Sequence, residues 1–203
     1  MAFTYQPASG LARAARWALW ADALVAAAAV VLSFTMGAEA LVWGDLARLL
    51  SVLQLLTWLA SLSLFLIWFY RANANARAMG AEDLMGSPGL SVAWFFIPFA
   101  WFFMPYIVVR DTWKASEAPR DWQGRSAAPL VGFWWAGMLV ANVAGAISFR
   151  IAAEGDYESL GAVGAFDLIS NLGTIAVGLL GAQVVAGITS RQVNPAHLSE
   201  TFR

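Results

Sequence analysis

Four stretches of the chain stay apolar for the length of a bilayer crossing: residues 17–37, 49–70, 129–149 and roughly 166–188. A transmembrane helix needs about 20 such residues, and in lipid, where no water meets the backbone, a helix closes its own hydrogen bonds. The pattern predicts four spanning helices, the third opening on Pro129, where a proline's missing N–H costs nothing. The connections 38–48 and 150–165 are short and acidic, whereas 71–89 and 110–128 are polar and basic.

A fifth apolar run, 90–109, is long enough to cross but holds Pro98 and Pro105, with Trp94, Phe95, Phe96, Phe99, Trp101, Phe102, Phe103 and Tyr106 around them. Each proline removes a helix hydrogen bond and clashes with the preceding turn, so the pair breaks or kinks the run. Charge then arbitrates. If the run dips in and returns, or lies in the interface, Arg13, Arg16, Arg71, Arg77, Arg110, Lys114, Arg120, Arg125, Arg191 and Arg203 share one face. Only Arg48 and Arg150 then lie on the other, with Glu39, Asp45, Glu154, Asp156 and Glu158. Basic residues are biased to the cytoplasmic side. The expectation is therefore an all-α integral membrane protein: a four-helix transmembrane bundle with both termini cytoplasmic, plus a Pro- and aromatic-rich re-entrant or interfacial segment at 90–109. The alternative is five transmembrane helices with a kinked third. Residues 1–16 form a cytoplasmic N-terminal segment, 17–189 a single transmembrane domain and 190–203 a cytoplasmic tail. Arg13 and Arg16 before an apolar run, with Ala-Glu-Ala at 38–40, imitate a signal peptide, but 17–37 is longer than such a peptide's apolar core and reads as a retained first helix.

Composition agrees. The chain is 60% hydrophobic and 12% charged, against roughly 25% charged in soluble domains, and its mean hydropathy is +0.64. Eleven tryptophans suit a chain with two membrane–water interfaces. A net charge of −1 argues against nucleic acid, and the lack of cysteine removes disulfides, thiolate nucleophiles and zinc–sulfur sites.

The residues between the second and third spans carry a resemblance. Tyr70-Arg71-Ala72, Asn75-Ala76, Gly80, Ser87-Pro88-Gly89, Trp94, Pro98, Pro105-Tyr106, Trp113 and Ser116 follow in order over about a quarter of the chain. This spacing resembles a bacterial family of multi-pass membrane proteins catalogued only as a domain of unknown function. The resemblance implies a bacterial inner-membrane location and brings no activity. Where such proteins often carry an Asn and a basic residue between the prolines, this chain has Trp101 and Met104, which makes the segment greasier and weakens a polar role for its tip.

Three constellations follow. On a helix continuing past Tyr70, Arg71 and Asn75 are one turn apart, as are Asn73 and Arg77. With Trp94, Pro98, Pro105, Arg110, Trp113 and Lys114 they form a basic, aromatic-edged collar, a candidate for anionic lipid headgroups or an acidic partner segment. The plain reading is that the arginines set topology and snorkel. Within the spans, Asp22, Gln54, Asn142, Arg150, Asp167, Asn171 and Gln183 are polar. Asp22 is placed to approach Arg71 or Gln183, Arg150 to pair with Asp167, and Gln54, Asn142 and Asn171 to bond across helices. Structural glue is the favoured account, since two acids near span ends make a poor proton relay. The small residues Gly137, Ala141, Gly145 and Gly178, Ala182, Ala186 predict close pairing of the last two spans, with homodimerisation as the rival.

No enzyme motif is present. The single histidine, His197, has no metal-sharing companion, Glu82–Asp83 sit in a polar loop, and Asp111 and Glu117 show no partner in the sequence. The reading is thus a non-enzymatic membrane binding or accessory module without a cofactor, engaging membrane lipid, another membrane protein or a second copy. A transporter or channel component is the alternative, and an intramembrane enzyme comes third.

Overall fold

The computed structural model describes residues 3–154 and 160–193, with the side chains of all but 36–43. Asp156, Glu158, His197 and the tail from 194 lie outside the described residues, as does the side chain of Glu39. The described chain is helical without strands: α1 (Ser9–Trp43), α2 (Asp45–Ala78), α3 (Pro88–Ala93), α4 (Met104–Glu117), α5 (Pro129–Glu154) and α6 (Leu160–Val193). Among the described residues four helices, α1, α2, α5 and α6, are long and apolar enough to cross a membrane, and they contain the four predicted runs. Each extends past its apolar stretch. The 34 residues of α2 measure about 51 Å at 1.5 Å per residue, beyond a hydrocarbon core of about 30 Å. Pro129 opens α5 as expected.

The run 90–109 is not one helix, so five continuous spans are not formed. α3 stops at Ala93, hydrogen-bonded turns and a 3-10 turn at Ala100–Phe102 follow, and α4 starts at Met104. The prolines divide the work. Pro105 sits in the first turn of α4, where no N–H is needed. Pro98 lies between the helices and precedes Phe99, whose φ is +61°.

The four long helices place size inside out relative to a soluble bundle. Ala23, Ala26, Ala141 and Ala144 are buried, while Leu24, Val31, Phe34, Leu55, Phe133, Val140 and Phe149 are exposed. Small residues inward let backbones approach, and large apolar residues outward suit a lipid solvent.

The chain resolves into two compact units. Described residues 3–16, 62–132 and 182–193 form the first, and 17–61, 133–154 and 160–181 the second. The second is built from close helix contacts. A Cβ on Gly137 would meet Val177 and Ala176, one on Gly145 would lie 3.0 Å from Ser170 Oγ, and one on Gly173 would lie 2.9 Å from the Ala141 backbone nitrogen. The Gly137–Ala141–Gly145 stripe therefore packs α5 on α6, as predicted. The predicted α6 stripe is corrected: Gly178 faces α1, where a Cβ would sit 2.5 Å from Leu19 O, and Gly173 makes the contact with α5. A four-residue spacing marks a close approach without saying to which helix.

Candidate functional site

The first unit gathers all the residues of the resemblance. Helix α2 continues past Tyr70, as expected, and buries Ala72, Asn73, Asn75 and Ala76. It ends where Gly80 takes φ +99° and Ala81 N–H reaches back to Ala76 O (3.1 Å), a turn that terminates a helix on a left-handed residue. Ser87 caps α3 by accepting from Leu90 N–H (3.1 Å), and Pro88 fills the first helical position. Much of the signature is thus turn and cap chemistry.

Opposite α2, nine of the fourteen residues of α4 are buried. Thr112 and Ser116 donate their hydroxyls to the carbonyls one turn back, Val108 O and Thr112 O, both at 2.7 Å. That leaves their oxygens as acceptors. Asn73 Nδ2 donates to Thr112 Oγ1 (2.9 Å), and Gln192 Nε2, from α6, donates to Ser116 Oγ (2.9 Å) and Ala72 O (2.8 Å). Arg77 donates to Asn73 Oδ1 (3.1 Å) and Leu84 O (3.2 Å), which realises the predicted Asn73–Arg77 pair. Trp68 Nε1 donates to Thr189 Oγ1 (3.0 Å).

The other predicted pair, Arg71 and Asn75, is not formed. Asn75, only 1% exposed, closes on the backbone of the N-terminal segment. Its Oδ1 accepts from Gln6 N–H (2.9 Å) and its Nδ2 donates to Gln6 O (2.8 Å). Tyr5 adds a hydroxyl bond to Gln192 O (3.1 Å), and Phe3 lies under the Arg77 guanidinium at 5.9 Å. A side-chain amide that pairs with both an N–H and a C=O of one residue fixes the strand it holds, so residues 3–8 are strapped across α2.

The predicted basic collar is therefore largely engaged. Arg110 is bound to Asp111 at 2.8 Å and lies over Tyr106 (5.7 Å). Lys114 donates to Gln123 O (3.2 Å) and lies over Trp122 (5.6 Å). Arg191 reaches Glu117 at 3.7 Å and stacks on Trp113 at 4.2 Å, so both acids that seemed unpaired in the sequence have partners. Trp113 and Pro105 are buried and cannot be an accessible edge. Among the described residues, the side chains of Arg13, Arg71, Arg120 and Arg125 make no hydrogen bond or ion pair. Trp94 is half-buried and Pro98 exposed.

What faces outward is the aromatic stretch between α3 and α4. Phe95 is buried against Phe65 and Phe69, with ring centroids 6.0 Å away in each case. Phe96, Phe102 and Phe103 are exposed, and Phe99 is 83% exposed. Ala100 N–H bonds Pro98 O (2.8 Å), closing a three-residue turn with Phe99 at its centre in the left-handed region. For a bulky residue that conformation costs on the order of 1–3 kcal/mol. The phenyl held in this conformation stands exposed.

In the second unit the polar residues pair differently from expectation. Asp22 Oδ1 accepts from Gln54 Nε2 (2.6 Å) and Thr57 Oγ1 (3.0 Å), replacing the predicted Arg71 or Gln183. Gln54 thus bonds across helices, whereas Asn142 donates to Met138 O and Asn171 to Asp167 O on their own helices. Arg150 and Asp167 form no ion pair; both are exposed, as is Gln183. The small-residue contacts bring the helices together without that pair. Among the described residues no group of acids and histidines is placed to hold a metal.

Sequence reasoning missed Tyr5, Gln6, Thr112, Thr189 and Gln192. Thr112 and Ser116 stand one helical turn apart, a signal that was available. Gln192 and the strap were not legible, since their partners are distant in sequence.

A family model described as a domain of unknown function (DUF4328) matches residues 38–190. No curated protein and no solved structure matches the chain.

Proposed function

The chain belongs to the DUF4328 family, and for this member we propose a non-enzymatic role as a multi-pass membrane binding module whose first unit engages anionic lipid. The exposed loop of Phe96, Phe99, Phe102 and Phe103 carries the reading. Burying one whole phenyl side chain is worth roughly 1.5–3 kcal/mol. Four partly exposed phenyls on one loop, in a chain with four apolar helices of spanning length, favour an apolar surrounding over water. The buried Phe95 anchors the loop to α2 while its neighbours enter the interface from the cytoplasmic side.

The free arginines complete the surface. Arg71, Arg120 and Arg125 spend no charge on protein partners among the described residues. Placed at an anionic leaflet, such residues contribute about 1 kcal/mol each. An even number of spans puts both termini on that side, in keeping with the bias of Lys and Arg toward the bacterial cytoplasm.

The absence of cysteine makes the test clean. Phe99→Cys, and separately Phe103→Cys, whose backbone has negative φ, are labelled with an environment-sensitive fluorophore. The full chain is placed in vesicles of phosphatidylcholine and phosphatidylglycerol. Lipid-borne spin labels should quench both sites, and aqueous iodide should not. Quenching by iodide alone would put the loop in water. Protection from both quenchers would mean that a protein partner covers it. Either result overturns the lipid reading. Arg71→Ala should lower the phosphatidylglycerol retained on purification.

A further inference from the structure

We infer that the second unit holds a binding site for a small organic cation, an ammonium on a hydrocarbon body, in a cavity walled by α1, α2 and α6. The cavity measures about 320 Å³ and its polar lining comes from Ser33, Ser51, Gln54, Asp167, Ser170 and Asn171. All of these belong to the second unit, and none is a residue of the lipid surface proposed for the first.

The direction of the hydrogen bonds defines the ligand. Ser33 donates its hydroxyl to Val30 O (2.7 Å), Ser51 to Ala47 O (2.9 Å) and Ser170 to Ala141 O (2.9 Å). Asn171 Nδ2 donates to Asp167 O (2.9 Å), and Gln54 Nε2 to Asp22 Oδ1 (2.6 Å). Every hydroxyl hydrogen in the lining is therefore committed to a helix carbonyl, and each amide has given a hydrogen to its own neighbour. What remains is mostly oxygen: three hydroxyl oxygens, the Asn171 and Gln54 amide oxygens and the Asp167 carboxylate, against one remaining N–H on each of the two amides. Gln54 Oε1 is buried without a hydrogen-bond partner.

Asp167 gives the site its sign. Its carboxylate takes part in no ion pair and accepts no hydrogen bond among the described residues, and neither Lys nor Arg lines the cavity. An acceptor-rich hollow with one carboxylate favours a ligand that is positively charged and donates several hydrogens. Size and wall chemistry exclude a bare metal ion as the best fit. The volume falls at the low end of small-molecule pockets, roughly 300–1,000 Å³. Val30, Leu50 and Val163 present hydrocarbon that an alkyl or aryl body covers and a hydrated ion does not.

The experiment measures binding of phenethylamine to the detergent-purified full chain by calorimetry, at a pH where the amine is charged. Phenethyl alcohol serves as the neutral probe. Asp167→Asn is the variant, and Asp45→Asn, an exposed carboxylate that does not line the cavity, is the control. Asp167 is exposed, so its variant should keep the wild-type unfolding temperature. The expected result is saturable amine binding that weakens at least tenfold in Asp167→Asn, is unchanged in Asp45→Asn, and is at least tenfold tighter than that of the alcohol. Equal binding by wild type and Asp167→Asn, or of amine and alcohol, overturns the inference. So does full displacement of the amine by an equal concentration of sodium chloride, which would mark an inorganic cation site. Absence of saturable amine binding also overturns it.

Discussion

Replacing Asn75 with alanine should free the N-terminal strap while leaving the fold in place. Asn75 makes two short bonds to Gln6, at 2.9 Å and 2.8 Å, and a third contact to Gln192 Oε1 at 3.5 Å that is too long to count for much. Each of the two short bonds contributes about 1 kcal/mol net. Gln6 is exposed, so its amide and carbonyl find water once released, and the further penalty for orphaned buried groups does not arise. The strap therefore loses about 2 kcal/mol, which corresponds to roughly a 30-fold rise in its open population. Amide hydrogen exchange at Gln6 reads that population directly, because this N–H is the one that Asn75 accepts. The expectation is about 30-fold faster exchange at Gln6, with exchange in α5 unchanged. Less than a threefold change would refute the strap as a two-bond clamp. A uniform acceleration along the whole chain would show that Asn75 holds the global fold. If Asn75 instead belonged to the lipid surface, its loss would lower retained phosphatidylglycerol and leave the exchange of Gln6 as it was.

Gly173→Ala should lower stability by about 1–3 kcal/mol, since its Cβ would press within 2.9 Å of backbone on α5, which cannot rotate away. Gly132→Ala, with nothing within 4 Å, should be neutral or slightly stabilising, and the unfolding temperatures of both in detergent check the contrast. Thr112→Val keeps the shape of a fully buried side chain but removes the acceptor for Asn73 Nδ2, for a loss of about 1–3 kcal/mol. A double-mutant cycle with Asn73→Ala should give a coupling above about 0.5 kcal/mol, and additivity would refute the pairing.

The spanning helices were legible because a bilayer imposes a length and a composition on any segment that crosses it. The break at 90–109 was legible for a similar reason: Pro98 and Pro105 act on the local backbone whatever surrounds them. Helix α2 running on through Asn73 and Arg77, and their pairing one turn apart, follow from the helical repeat. The partners of long-range polar groups were not legible. Asp22 was expected near Arg71 or Gln183 and bonds Gln54 and Thr57, and Asn75 was placed in a lipid collar and holds Gln6. In each case the sequence showed a polar group that needed a partner, while several candidates lay within reach of an unspecified packing.

The sequence by itself determined the helices of spanning length, four among the described residues, and an aromatic run that two prolines break or kink. Those features depend on a residue and its near neighbours, or on the solvent a segment must tolerate. Only the tertiary structure decided which cations are free and which are spent. It also decided which face of a glycine stripe meets which helix, and that Asp167 lines a cavity instead of pairing with Arg150. Such outcomes turn on how the helices are rotated about their axes, and many side chains far apart in the chain fix that rotation together.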